Sequence, residues 1–263
     1  PGASRSGCQV KMEQTLNHST KRTQFLVYCF AFTALGLVLA APGPALIRLE
    51  EQTSSTVDQL SWVFTARAIG YLVGSAVGGP LFDKYNGNNI NAAALCMTAV
   101  SVFFVPFIGH LWLLSVVFVF QGVSMGTLDT GGNVMLIWLY GEEVGPYMQA
   151  LHCGFGVGAF FSPLIVGAML KVSKTLYLPF ILISCVTGFV AYRVRALPLA
   201  PRRNNQDTAS PWTAKYKLVI GLTAGLLFMY VGAEVTAGAY LSKYSVQLGL
   251  LTEQTGAYLV ATF

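Results

Sequence analysis

Residues 111–140 read LWLLSVVFVFQGVSMGTLDTGGNVMLIWLY, and the reading of this run decides the fold. As a helix it would be about 45 Å long, at about 1.5 Å per residue. That exceeds the ~30 Å hydrocarbon core of a bilayer. Its first half is apolar; its second carries Gln121, Asp129 and Asn133, with glycines at 122, 126, 131 and 132. A carboxylate at such depth costs roughly 2.5–3.5 kcal/mol on insertion scales, and groups of this kind face a bundle interior or a wet cavity. Spanning a membrane does not require one. Asp129 is therefore expected to look into a solute pathway.

The rest of the chain supports a membrane reading. Of 263 residues, 54% are hydrophobic and only 10% charged, against about 25% charged in soluble domains. Mean hydropathy is +0.58. The five cysteines (8, 29, 96, 153 and 185) show no CxxC and no paired spacing. Neither a disulfide framework nor a zinc site is expected. The net charge of +5 is read as basic loops gathered on one side of a membrane, not as a nucleic-acid surface. The chain opens PGASRSG, without Met, and stops at Phe263 inside an apolar run; it is read as part of a longer protein. With no n-region, h-region and cleavage site before the first span, a secretory signal peptide is not expected.

Hydropathy divides the chain as follows. Residues 1–23 form a polar, basic tail, and the first span covers about Gln24–Ile47, broken near one end by Pro42-Gly43-Pro44. After the loop RLEEQTSSTVDQ comes a second span, about Leu60–Phe82, with Arg67 and glycines 70, 74 and 78 at four-residue spacing. Small residues on one face let helices approach closely. The turn DKYNGNN leads to a third span, about Ile90–Gly109, and then to the fourth, quoted above. A fifth covers about Tyr147–Leu170 and a sixth about Leu176–Tyr192. A basic, Pro- and Asn-rich stretch, 194–217, reads as a linker. A seventh span, about Leu218–Leu241, and the opening of an eighth follow. The expected units are thus a tail (1–23), a six-helix bundle (24–193), a linker (194–217) and the start of a second bundle (218–263). This is the layout of a transporter with two six-helix halves. No strong residue-level similarity relates spans 1–3 to spans 4–6, so the internal repeat rests on hydropathy.

With the N-terminus cytosolic, eleven of the sixteen Lys and Arg fall on the cytosolic side and four opposite, with Arg67 inside a span. The positive-inside rule favours that orientation. Asn17-His18-Ser19 matches the glycosylation pattern but faces the cytosol on this topology and is expected to be unmodified.

Five more polar residues join the three of the fourth span. Asp129 and Asn133, four apart, share a helix face; with Gln121 they line a pathway wall or form a structural hydrogen-bond cluster. Glu234 lies over halfway along the seventh span, with Tyr230 one turn before it. It serves function, or a structural ion pair or cap. His152 donates to a solute hydroxyl, pairs with Asp129, or is a satisfied core histidine, and Gln149 shares its fate. Arg67, expected near the interface end of its span, snorkels outward or neutralises an acid in the bundle. No second His or Cys stands at metal-ligand spacing. GxSxG, HExxH and P-loop signatures are absent.

GGPLFDKYNGNN resembles the motif between the second and third spans of the major facilitator superfamily. The matching positions are Gly79, Asp83, Lys84 and Gly87. The resemblance implies a cytosolic latch between the two halves. Gly87 is one position late, and Asn88 and Asn89 stand where basic residues are usual, which implies a weakened or rearranged latch. GVSMGTLDTGGNV and YVGAEVTAGAYL resemble the fourth and seventh helices of the fucose/glucose symporter branch. With ARAIGYLVGSAVGGPLFD and QALHCGFGVGAFFSPL they look like the animal sodium-dependent glucose transporter group. The resemblance covers about residues 25–263. It implies an all-α polytopic membrane protein of the major facilitator fold: a complete N-terminal six-helix bundle plus the first one or two helices of the second. It implies a hexose carrier working by alternating access, in the plasma membrane, without enzyme activity or obligate protein partner. Asp129 and Asn133 take the place of the branch's acid–amide pair, and Glu234 its polar position in the seventh helix. The bacterial proton-coupled members have an Asp in the first span. ALGLVLAAPGP has no ionisable group there, which leaves sodium coupling or facilitated diffusion. Sodium would be a co-transported ion; no cofactor is implied. The rivals are a carrier of another solute (urea, an organic ion, an amphiphile) and a non-transporting receptor or scaffold.

Overall fold

The computed structural model describes residues 18–198 and 214–262. In chain order the helices are α1 (His18–Ala40), α2 (Leu46–Thr53), α3 (Val57–Lys84), α4 (Gly87–Phe104), α5 (Leu111–Tyr140), α6 (Val144–Ser173), α7 (Tyr177–Arg195), α8 (Ala214–Gln247) and α9 (Glu253–Thr262). Single 3₁₀ turns cover Val105–Phe107 and Gly141–Glu143. All but α2 and α9 are long and apolar enough to cross a membrane, with α5 and α6 sharing the stretch Leu111–Ser173. The protein is an all-α, multi-pass membrane protein.

The helix ends have local causes. Pro42-Gly43-Pro44 stops α1 and turns the chain into α2. Residues 46–53, expected as the end of the first span and the start of the following loop, form a separate short helix because Leu46, Leu49 and Thr53 fall on one buried face. Thr56 caps α3: its hydroxyl accepts from Gln59 N while the Gln59 side chain accepts from Thr56 N. This capping box starts α3 before the expected Leu60. Asn86 caps α4 by accepting from Asn88 N. Gly141, at φ 59°, supplies the left-handed turn between α5 and α6. α1 begins at His18, inside the stretch expected as a tail. Asn17 and residues 199–213, most of the expected linker, lie outside the described residues.

Three pairings dominate the bundle: α1 on α6, α3 on α5, and α4 on α7. Exchanging the set α1, α3, α4 with the set α5, α6, α7 maps this pattern onto itself. The glycines follow the same exchange. A Cβ on Gly36 (α1) would meet the Phe155 carbonyl and lie 2.8 Å from Ala159 N; one on Gly122 (α5) would meet the Arg67 carbonyl and lie 2.8 Å from Tyr71 N. Gly158 (α6) faces the Thr33 carbonyl and Leu37 N in the way that Gly70 (α3) faces the Val119 carbonyl and Val123 N. The internal repeat is thus written in backbone contacts where the side-chain sequence hides it. Hydroxyls stitch the same crossings: Thr127 donates to Gly74 O at 3.2 Å, Ser75 to Gly126 O at 3.3 Å, and Ser162 to Leu37 O at 2.6 Å.

The two glycine ladders do not behave alike. Gly70 and Gly74 pack against α5 backbone, and Gly154 and Gly158 against α1, as packing devices should. Gly156 has nothing within 4 Å of its Cβ position. Leucine at Gly122 is therefore expected to separate α3 from α5, costing at least the ~1–3 kcal/mol of an overpacked core. Leucine at Gly156 should be tolerated. Thermal unfolding of the detergent-solubilised protein, followed by size-exclusion chromatography, checks both: the midpoint falls for Gly122→Leu and stays near wild type for Gly156→Leu.

Candidate functional site

A cavity of about 580 Å³ opens where α1, α3 and α6 face α8 and α9. Most of its wall is Gly, Ala, Val and Phe; its polar groups are Arg67, His152 and Glu234. That volume lies within the range of small-molecule sites. The sequence singled out all three residues but misjudged Arg67. It does not snorkel, and it pairs with no acid among the described residues. Its residue is 5% exposed, its guanidinium donates to Leu39 O at 3.3 Å, and its charge lies 5.4 Å and 5.7 Å from the ring centres of Phe64 and Phe118. The reason is geometric. The early start of α3 puts Arg67 about three turns inside the helix, and the Gly70 crossing holds that face against α5.

His152 sets its ring edge-on to Phe32 at 5.6 Å and presents itself to the cavity. Behind it stands Asp129. The Asp129 carboxylate lies close to the Tyr71 hydroxyl of α3 and to the Asn133 side chain, and within electrostatic reach of His152. Asn133 Nδ2 also donates to Asp129 O at 2.9 Å, one turn back. Asp129, Asn133, His152 and Tyr71 thus form one cluster spanning α3, α5 and α6, with His152 its link to the cavity.

The other expected residues lie apart from the cavity wall. Gln121 is 1% exposed beside the Thr98–Ser124 hydroxyl pair, and its side-chain oxygen has no partner among the described residues. Gln149 and Tyr230 are exposed, one turn before His152 and Glu234 respectively, but are not part of the cavity wall. Tyr71 was missed because a tyrosine in an apolar span reads as core. Its signal was position: four residues after Arg67, on the same helix face.

The two ends of the bundle are held differently. At the end carrying α2, Lys243 of α8 donates to Glu50, while Arg48 bonds both Glu51 at 2.8 Å and Glu253 of α9 at 2.9 Å. There Gly43 also meets the backbone of Gly238, both lining the cavity. At the other end the hydrogen bonds are neutral. Tyr28 Oη donates to Asn88 Oδ1 at 2.6 Å, and Asn88 Nδ2 and Gln24 Nε2 each donate to Pro198 O at 2.8 Å. Gly79 has open space at its Cβ position, whereas Gly87 is buried against Met135. Asp83 and Lys84 are exposed in the last turn of α3 and form no ion pair among the described residues.

Comparison with known proteins places this architecture. The sequence model of the Major Facilitator Superfamily matches residues 25–263. The chain belongs to the major facilitator superfamily. Among relatives, "Sodium-dependent glucose transporter 1" of Danio rerio is 36% identical over 207 residues, covering 77% of this chain and 34% of the relative. The Xenopus laevis protein of the same name is 31% identical over 238 residues, covering 80% and 48%. The chain therefore spans half or less of the length of these relatives. Two solved structures show the same superfamily fold. A bacterial homologue of the human lysosomal transporter Spinster, inward-facing and unoccupied, gives a TM-score of 0.73 at 12% identity, covering 94% of this chain and 60% of that one. A D-xylose-proton symporter gives 0.68 at 12% identity, covering 92% and 65%.

The α2-end ion pairs join α2 to α8 and α9, so they should govern how tightly this end of the cavity closes. In a Gly238→Cys background, Lys243→Glu is expected to raise labelling by a membrane-impermeant thiol reagent. Adding Glu50→Lys should return labelling towards its starting rate, because the swapped pair restores attraction.

Proposed function

We propose that the complete protein is a secondary transporter that carries a hexose such as glucose by alternating access, coupled to sodium. The carrying observation is the cavity between α1, α3 and α6 on one side and α8 and α9 on the other, with His152 and Glu234 on its wall. It lies between the elements expected to belong to different halves, residues 24–193 and 218–263, joined by the 194–217 linker. The names of the relatives support the sugar and sodium parts of the reading.

In this reading, hydroxyls of the passenger bond to His152 and Glu234, and the faces of Phe155 and Phe160 receive its C–H surfaces. Asp129 is the cation site, or couples cation to passenger through His152. Its cluster offers a carboxylate, a phenol and an amide oxygen, and hard cations prefer oxygen ligands. Gln121, Gln149, Asn133 and Tyr230 remain expected binding positions, with Asn133 part of the coupling cluster itself. Gly79, Asp83, Lys84 and Gly87 would act as the latch when the halves close at their end. The N-terminus is cytosolic and the membrane is the plasma membrane. Arg48, Glu50, Lys243 and Glu253 then close the extracellular end.

Uptake of radiolabelled hexose tests this, with sodium replaced by choline. Wild-type uptake should fall without sodium. Asp129→Asn should lower sodium-stimulated uptake about tenfold or more, the factor that 1.4 kcal/mol gives, with surface expression unchanged. Equal uptake in sodium and choline, together with a fully active Asp129→Asn variant, contradicts the coupling assignment.

A further inference from the structure

The hexose reading leaves one group in the cavity wall without an assigned task. Arg67 is a buried cation, 5% exposed, yet no carboxylate lies within ion-pair distance of it among the described residues. Its one hydrogen bond there is to Leu39 O. A guanidinium carries five N–H donors in a planar fork, so most of its donor capacity is open. Uncompensated buried charge is costly, and cations within a membrane bundle ordinarily find a partner. Here the rings of Phe64 and Phe118 supply a partial substitute, holding the charge at 5.4 Å and 5.7 Å. Aromatic faces stabilise a cation less than a carboxylate in bidentate contact does, and they leave the edge of the fork free.

The surroundings say which partner fits. Around the guanidinium the printed contacts are the Leu39 carbonyl and the rings of Phe64 and Phe118, and the cavity beside it is walled mostly by apolar residues, so among the described residues no further acceptor is bonded to its remaining donors. Glu234 lines the same cavity but makes no ion pair with Arg67. The space between them is room for a ligand.

We propose that the cavity takes a hydroxylated carboxylate, a sugar acid, in preference to the neutral sugar. Arg67 binds its carboxylate through the guanidinium fork, while His152 and Glu234 hold its hydroxyls. Guanidinium matches carboxylate geometry in a way that a point-charge ammonium does not. The proposal deepens the transporter reading and rests on the same cavity.

The test is uptake of radiolabelled glucose by the complete protein in cells, competed with unlabelled glucuronate, gluconate or glucose. In wild type, the acids should compete about tenfold or more better than glucose, as a charged hydrogen bond warrants. Arg67→Gln should erase that preference while glucose still competes. Arg67→Lys, which keeps the charge and loses the fork, should retain only part of it. The Lys variant and the wild-type preference decide the matter if the Gln variant does not reach the surface. Acids that compete no better than glucose in wild type overturn the proposal. So does a Gln variant that weakens acid and sugar equally. Recovery of wild-type uptake by the charge-swapped Arg67→Glu/Glu234→Arg protein also overturns it, because the two side chains would then neutralise each other. Failure of the underlying transporter reading looks different: no labelled solute enters wild-type cells, and the cavity-filling Gly156→Leu changes nothing.

Discussion

Everything else in this bundle depends on backbone meeting backbone at two glycine crossings. Lipid tails are as apolar as leucine, so burying apolar side chains does not by itself drive helices together in a membrane. Close contact does. Gly70 and Gly122 let α3 reach α5, and Gly36 and Gly158 let α1 reach α6. These crossings set the rotation of each helix about its axis, and rotation decides which side chains reach the centre. Arg67 faces Phe118 and the cavity because Gly70 and Gly122 lock the helices around it. Tyr71, one turn on, is carried to Asp129 by the same lock.

The arrangement separates two kinds of polar group. Charges that hold elements together sit at the α2 end, where Lys243, Glu50, Arg48 and Glu253 bridge α2 to α8 and α9. The opposite end is tied by neutral groups, Tyr28, Asn88 and Gln24, around the Pro198 carbonyl. Between them, Arg67 and Glu234 face a common cavity without neutralising each other. Charge is thus paired where the elements clasp and unpaired where there is room for a ligand.

Much of this was legible in the amino-acid order. The helix over residues 111–140 has the bounds its apolar run implied. Pro42-Gly43-Pro44 breaks the first span where Pro must. His152 lies within electrostatic reach of Asp129 but forms no ion pair with it among the described residues, so the pairing the sequence offered as one reading is not made. What could not be read depends on rotation and on neighbours from distant sequence. Hydropathy gave Arg67 two fates, an aqueous end or an acidic partner, because burial between two phenyl rings requires knowing that α5 crosses at Gly122. Gly156 and Gly158 look equivalent in sequence, yet one packs on α1 and the other faces open space. The repeat stayed hidden because what it preserves is the positions of missing side chains, and α2 because its first two residues read as the end of the first span and the polar RLEEQT that follows read as loop.

Chemical protection measures the central claim, that this cavity is the passenger's route, most directly. A single cysteine at Ala159, on the cavity wall, would be placed in the complete protein with its native cysteines replaced. Labelling by a membrane-impermeant thiol reagent would be timed in sodium, with and without millimolar glucose or glucuronate. The account predicts that the cysteine is labelled and that solute slows the reaction. Labelling at the same rate with and without either solute would contradict it.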